Sequence, residues 1–157
     1  MIEIERKFLV TSADYRKKAQ HSDRILQGFL NTDPQRTVRV RTNKDKGFLT
    51  IKGMSNVSGT SRYEWECELP LADAERLMEL CETGTIEKVR YFIPHGKHIF
   101  EVDEFMGDNQ GLVIAEIELK RENEVFDKPD WLGQEVTGNI KYYNSYLSKN
   151  PYSQWKK

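Results

Sequence analysis

Six stretches of the chain carry charged residues two positions apart. Glu3, Glu5 and Lys7 form the first; Arg39 and Arg41, Glu64 and Glu66, Lys88 and Arg90, Glu101 and Asp103, and Glu116 and Glu118 form the others, with Lys52 alone between its apolar neighbours. A spacing of two puts side chains on one face of a β-strand. Solvent-facing strands ordinarily mix charge with Thr, Ser and Gln. Here most strands carry one sign, acidic or basic, and like charges on neighbouring positions repel unless opposite charges stand across from them. The set therefore points to one shared polar interior. Arg and Lys on several strands form a cage for a polyanion, with Arg offering a planar fork to phosphate oxygens and Lys a point charge. A bare anion would gain nothing from carboxylates beside it. A hard divalent cation would, because Mg²⁺ and Mn²⁺ take oxygen ligands. Acid and base in one cavity thus suggest a metal–polyphosphate complex.

The elements needed to position these residues follow the same period. Strands are expected at 2–10, 24–31, 36–43, 47–53, 61–68, 85–93, 97–106 and 112–120, nearly all linked by short turns such as 43–47 (NKDKG). Eight strands so linked make an antiparallel sheet able to close into a barrel. Helices are expected at 11–20 and at 70–83, where Leu71, Ala74, Leu77, Met78 and Cys81 share a face. Residues 130–157, rich in aromatics, read as one or two helices closing over the barrel. Trp65 points away from Glu64 and Glu66 and is expected to pack against a helix. His21, His95 and His98 fall in loops or strand edges, and none is given a role.

Composition narrows the class. The 157 residues fit one domain, 1–157, large enough to fold without metal or disulfide. With 24 basic and 25 acidic residues the net charge is −1, which disfavours a generally basic nucleic-acid binder. No apolar run approaches the roughly 20 residues of a membrane span, and the N-terminus lacks the features of a signal peptide. Cys67 and Cys81 are too few for a disulfide framework or a thiolate metal site. A cytoplasmic protein, monomeric or homodimeric, without nucleic-acid or membrane partners is expected. Phosphate-loop, HExxH and nucleophile-elbow patterns are absent.

The segment EIERK at 3–7 resembles the ExExK signature of the CYTH superfamily, the triphosphate tunnel metalloenzymes. TVRVR (37–41), FLTIKG (48–53), RYEWECEL (62–69), KVRYFI (88–93), FEVDEF (100–105) and LVIAEIEL (112–119) follow in the family's order. The ending EVTGNIKYYNSYLSKNP (135–151) is similar to that of short bacterial members. The resemblance implies an eight-stranded antiparallel tunnel with flanking helices and a C-terminal helix. It implies a hydrolase that splits inorganic triphosphate to pyrophosphate and phosphate with Mg²⁺ or Mn²⁺, two ions per turnover. Carried over by position, Glu3, Glu5, Asp103, Glu116 and Glu118 match metal ligands, and Lys7, Arg39, Arg41, Lys52, Lys88 and Arg90 match triphosphate-binding bases. Glu5, Lys52 and Glu118 are expected closest to the chemistry, with Glu64, Glu66 and Glu101 as further tunnel acids. Phe29 stands where some members carry a Tyr tied to catalysis or substrate choice. Two other readings stay open: an adenylate cyclase or nucleotide or thiamine triphosphatase of the same fold, and a polyphosphate-binding module without turnover.

Overall fold

A computed structural model describes residues 1–156. Nine strands run in chain order: β1 (Ile2–Val10), β2 (His21–Asn31), β3 (Thr37–Thr42), β4 (Gly47–Lys52), β5 (Ser61–Leu69), β6 (Ile86–His95), β7 (His98–Phe105), β8 (Val113–Glu118) and β9 (Leu132–Glu135). The sheet order is β5-β4-β3-β2-β6-β7-β8-β1-β9, and β5 also pairs with β1. That pairing closes β1 to β8 into the expected eight-stranded antiparallel barrel. One edge of β1 is shared. Its first residues, Ile2 to Ile4, pair with β5, whereas Phe8 and Val10 pair with β9. Between them the chain crosses at Gly59 and Gly138, both with positive φ; a Cβ on Gly59 would stand 2.3 Å from the Gly138 Cα. Only glycine allows the two backbones this approach.

Register assigns the faces, because directly paired residues project from the same side of a sheet. Glu5 pairs with Glu118, Lys7 with Glu116, Arg90 with Asp103, Glu101 with Glu116, and Lys52 with Glu64. These alternate positions face the barrel interior. The intervening residues face outward and build the larger core cluster, which includes Phe8, Ile93, Phe100, Val102, Ala115, Ile117 and Trp131. The principal core thus lies outside the barrel, under residues 119–136. A second cluster of Phe29, Ile86, Phe105, Leu112, Ile114 and Leu147 fills one end of the interior, with Tyr142, Tyr152 and Trp155 packed against it.

The helices are shorter than the sequence suggests. Of 11–20 only α1 (Tyr15–Lys18) is helical, and of 70–83 only α2 (Leu71–Met78). α1 persists because Tyr15 is buried edge-on against Tyr91 and Trp131, and its hydroxyl donates to Glu104 at 2.6 Å, where Arg16 also binds. α2 seats Ala74 on β4, where a Cβ on Gly47 would lie 2.2 Å from that of Ala74. The C-terminal region departs most from expectation. Its first part is β9, and its only α-helix among the described residues is α3 (Asn144–Leu147), flanked by 3-10 turns at Ile140–Tyr142 and Tyr152–Gln154. Its aromatics also face different ways, Tyr142 toward the apolar plug and Tyr143 toward the charged interior. Trp65 is 45% exposed rather than covered by a helix, because α2 contacts β3 and β4 and leaves the outer face of β5 open. Cys81 lies beyond the end of α2, half-buried.

The Tyr15 tie makes a stability prediction. Burial works against ionisation of Glu104, but hydrogen bonds from Arg16 and Tyr15 outweigh it and hold the carboxyl below its ordinary 4.5. A lowered folded value means that the contribution is present above that pH and is lost as pH falls through the folded value. Tyr15→Phe is expected to cost about 1–3 kcal/mol in urea unfolding at neutral pH. The gap to wild type should narrow in acid.

Candidate active site

The charged interior forms a cavity of about 190 Å³. Seven carboxylates line it (Glu3, Glu5, Glu64, Glu66, Glu101, Glu116, Glu118), as do seven cations (Lys7, Arg39, Arg41, Lys52, Arg62, Lys88, Arg90). The cage is therefore balanced in formal charge. Thr37, Phe29, Tyr143, Asn144 and Ser145 complete the wall. Of the residues expected from the sequence, Asp103 alone does not reach the cavity surface. It is 0% exposed, clasped by Arg90 through two bonds (Nε–Oδ1 2.7 Å, Nη2–Oδ2 2.9 Å) and by Lys88 at 2.9 Å. This geometry is at odds with the metal-ligand role expected of it. Both its oxygens are spent on holding the two cations upright, since a buried carboxylate requires such partners.

The remaining groups divide by how well they are partnered. Lys52 bridges Glu3 at 3.1 Å and Glu64 at 3.3 Å. Arg90 reaches Glu101 at 3.1 Å as well as Asp103. Burial opposes its charge, but Asp103 and Glu101 raise the Arg90 guanidinium well above its usual range. Glu116 is buried too, yet Lys7, Arg90, Lys88 and Lys52 hold its carboxyl far below the ordinary value. Lys88 is pushed down to about 8, chiefly by burial, with Asp103 opposing.

Both signs include loosely held groups; among the cations Lys7 reaches Glu116 only at 3.9 Å and Arg62 reaches Glu3 at 3.7 Å. The carboxylate partner of Arg39 and Arg41 is Glu66, at 3.6 and 3.8 Å; Arg39 Nη2 also donates to the Thr50 hydroxyl at 3.2 Å, while its Nε is buried without a hydrogen-bond partner. Burial, then repulsion from Arg39 and Arg90, pulls Arg41 down to about 10, still charged at neutral pH. On the acidic side, Glu5 and Glu118 stand across from each other in register and form no ion pair or side-chain hydrogen bond with another described residue. Burial, then Glu116 and Glu3, pushes the Glu5 carboxyl up to about 8. Burial, then Glu3 and Glu101, also raises Glu118. Loosely paired arginines beside carboxylates without an ion pair suit a ligand carrying both signs. The donor set fits a hard divalent cation in that only carboxylate oxygens are offered. Among the described residues no group of three His, Cys, Asp or Glu is spaced to hold an ion unaided.

Five lining residues escaped the sequence reading: Thr37, Arg62, Tyr143, Asn144 and Ser145. Arg62 lies two positions before Glu64, on the face already identified, so the alternation contained it. Tyr143 covers Lys7 and Arg62, its ring centroid 5.0 Å from the Lys7 Nζ and 5.7 Å from the Arg62 Cζ. Tyr143 and Asn144 come from the C-terminal crossing, which has no period to announce which side chain turns inward. Phe29 lines the cavity where its interior meets the apolar plug. His98 is tied to Glu124 at 2.6 Å, at the edge of the barrel.

A closed antiparallel barrel with a balanced, carboxylate-and-cation interior defines the triphosphate tunnel architecture. The chain belongs to the CYTH domain family, which matches residues 1–149. It is 50% identical over 155 residues to the inorganic triphosphatase of Acetivibrio thermocellus, covering 98% of this chain and 97% of that protein. It is 35% identical over 153 residues to the inorganic triphosphatase of Nitrosomonas europaea, covering 94% and 97%. Among solved structures, it matches an inorganic triphosphatase at 32% identity and a TM-score of 0.64, covering 93% of each chain. It also shares the fold of a Pyrococcus horikoshii protein at 22% identity, with a TM-score of 0.61 and coverage of 77% and 80%. No helix of the described residues is long and apolar enough to cross a membrane.

Proposed function

We propose that this protein is a metal-dependent inorganic triphosphatase that hydrolyses tripolyphosphate to pyrophosphate and orthophosphate. The observation that carries the reading is the juxtaposition, in one cavity, of under-partnered Arg39 and Arg41 with unpaired Glu5 and Glu118. The first pair favours an anion and the second, once ionised, a cation. Names of relatives sharing most of their length with this chain support the same activity.

Glu5 and Glu118, with Glu3 and Glu116 beside them, would hold Mg²⁺ or Mn²⁺, phosphate and water completing the ligands. Such a cation neutralises phosphate oxygens and acidifies water. The residues do the rest. Arg39, Arg41, Lys52, Lys88 and Arg90 grip non-bridging oxygens from several sides, which fixes the terminal phosphorus for in-line attack and stabilises charge as the P–O bond breaks. Asp103 acts indirectly by fixing Lys88 and Arg90. The attacking water forms the new P–O bond, the bond to the bridging oxygen breaks, and pyrophosphate departs with that electron pair. Glu118 would accept the water's proton. An oxygen of Glu118 not engaged by the ion would serve as that base.

The test is phosphate release from tripolyphosphate, longer polyphosphate, ATP, GTP and thiamine triphosphate, each with Mg²⁺, with Mn²⁺ and with excess EDTA. Tripolyphosphate should be hydrolysed in a divalent metal and left intact in EDTA. Equal release in EDTA would remove the cation from the account, and no release from any substrate would leave a binding protein.

A further inference from the structure

Asn144 opens α3, and its side chain enters the barrel beside Lys88 and Arg90. Its position is fixed on three sides. Leu147, one turn on, is 1% exposed within the apolar plug. The preceding Tyr143 covers Lys7 and Arg62. The Asn144 carboxamide itself accepts two hydrogen bonds on Oδ1, from Gln27 Nε2 at 3.0 Å and from Lys88 Nζ at 3.0 Å.

Those two bonds settle which way the amide points. An ammonium group has only protons to offer, so the atom facing Lys88 must be the oxygen. Gln27, 0% exposed beneath it, likewise presents its NH₂ to that oxygen. The Asn144 NH₂ is thereby turned the other way. It has no partner among the described residues, and it is not one of the buried polar atoms left unsatisfied, so it meets open space. Asn144 lines the charged cavity.

We propose that Asn144 is a substrate ligand whose carboxamide NH₂ donates to a phosphate oxygen of tripolyphosphate. The inference rests on the triphosphatase reading above. A neutral donor suits this place. Arg39, Arg41 and Arg90 already repel one another across the cavity, and a further cation would add to that repulsion in the free protein. An amide contributes a hydrogen bond to a charged oxygen without doing so. The two bonds on Oδ1 also hold the donor in place before substrate arrives, which lowers the ordering cost of binding.

Asn144→Ala removes the donor but also loosens Lys88, so the informative measurement is a double-mutant cycle. Tripolyphosphate affinity is measured by calorimetry in EDTA for wild type, Asn144→Ala, Lys88→Met and the double variant, with a thermal melt of each. Phosphate release by wild type in Mg²⁺ and Mn²⁺ is measured alongside. Asn144→Ala is expected to weaken binding about tenfold or more, as a lost bond to a charged group should. A loss of similar size is expected in the Lys88→Met background. Affinity within twofold of wild type, or an effect that disappears once Lys88 is Met, overturns the proposal; the latter leaves Asn144 a positioning residue for Lys88. If Asn144→Ala fails to fold, Asn144→Asp takes its place. Its carboxylate still accepts from Gln27 and Lys88 but has no donor, and unchanged affinity in that variant overturns the proposal equally. Wild type that neither binds nor hydrolyses tripolyphosphate would defeat the triphosphatase reading and this inference with it. Wild-type turnover with unaltered Asn144 variants would defeat the inference alone.

Discussion

Glu5→Gln is expected to lower kcat/KM for tripolyphosphate about 100-fold or more while leaving the barrel folded. The amide keeps the shape of the side chain but removes the charge that a hard cation needs, and the loss of one group aimed at the reacting centre commonly has an effect of this size. Stability should move the other way or not at all. Glu5 is half-buried opposite Glu118, is repelled by Glu116 and Glu3, and has no ion pair to surrender. In metal-free buffer the variant should melt at or above the wild-type temperature. Adding Mg²⁺ or Mn²⁺ should stabilise wild type more than the variant, because an ion that binds only the folded protein raises its stability by mass action. Steady-state kinetics and thermal melts in both conditions check this. A folded variant with wild-type turnover would contradict the metal role given to Glu5.

Arg41→Ala and Arg90→Ala are expected to differ although both residues face the same cavity. Arg41 has one carboxylate, Glu66, at 3.8 Å, and lies near other guanidinium groups. Its removal should leave urea stability within about 1 kcal/mol, as for a weakly paired charge, and raise KM for tripolyphosphate about 10- to 100-fold. Arg90 clasps Asp103, itself 0% exposed, with two hydrogen bonds. Its removal leaves that carboxylate with Lys88 alone, and breaking a buried pair costs about 3–5 kcal/mol. Arg90→Ala should therefore lose both stability and substrate affinity. Equal melting of the two variants would show that Asp103 does not depend on Arg90.

This difference marks how far the sequence could be read. The alternation of charge along β1, β3, β5, β6, β7 and β8 was enough to identify an inward polar face and an eight-stranded closure, because strand period and register obey local geometry. Alternation does not give depth. Glu101 and Asp103 have the same spacing on β7, yet one lines the cavity and the other is sealed behind Arg90, because Asp103 pairs with Ile114 of the apolar plug whereas Glu101 pairs with Glu116. The C-terminal residues were least legible. Tyr143 and Asn144 owe their places to the Gly59–Gly138 crossing and to Leu147 in the plug, contacts between segments far apart in sequence. The shortened α1 and α2 have a similar cause, since tertiary anchors at Tyr15 and Ala74 define them more than helix propensity does.

The central claim is that this cavity recognises a small, fully charged triphosphate together with metal, not a nucleoside. The most direct test compares kcat/KM for tripolyphosphate and for ATP at saturating Mg²⁺ and again at saturating Mn²⁺, with products separated by chromatography. A clear preference for tripolyphosphate is expected in both metals, with one pyrophosphate formed for each orthophosphate and no cyclic AMP. ATP preferred in both metals, or accumulation of cyclic AMP, would contradict it.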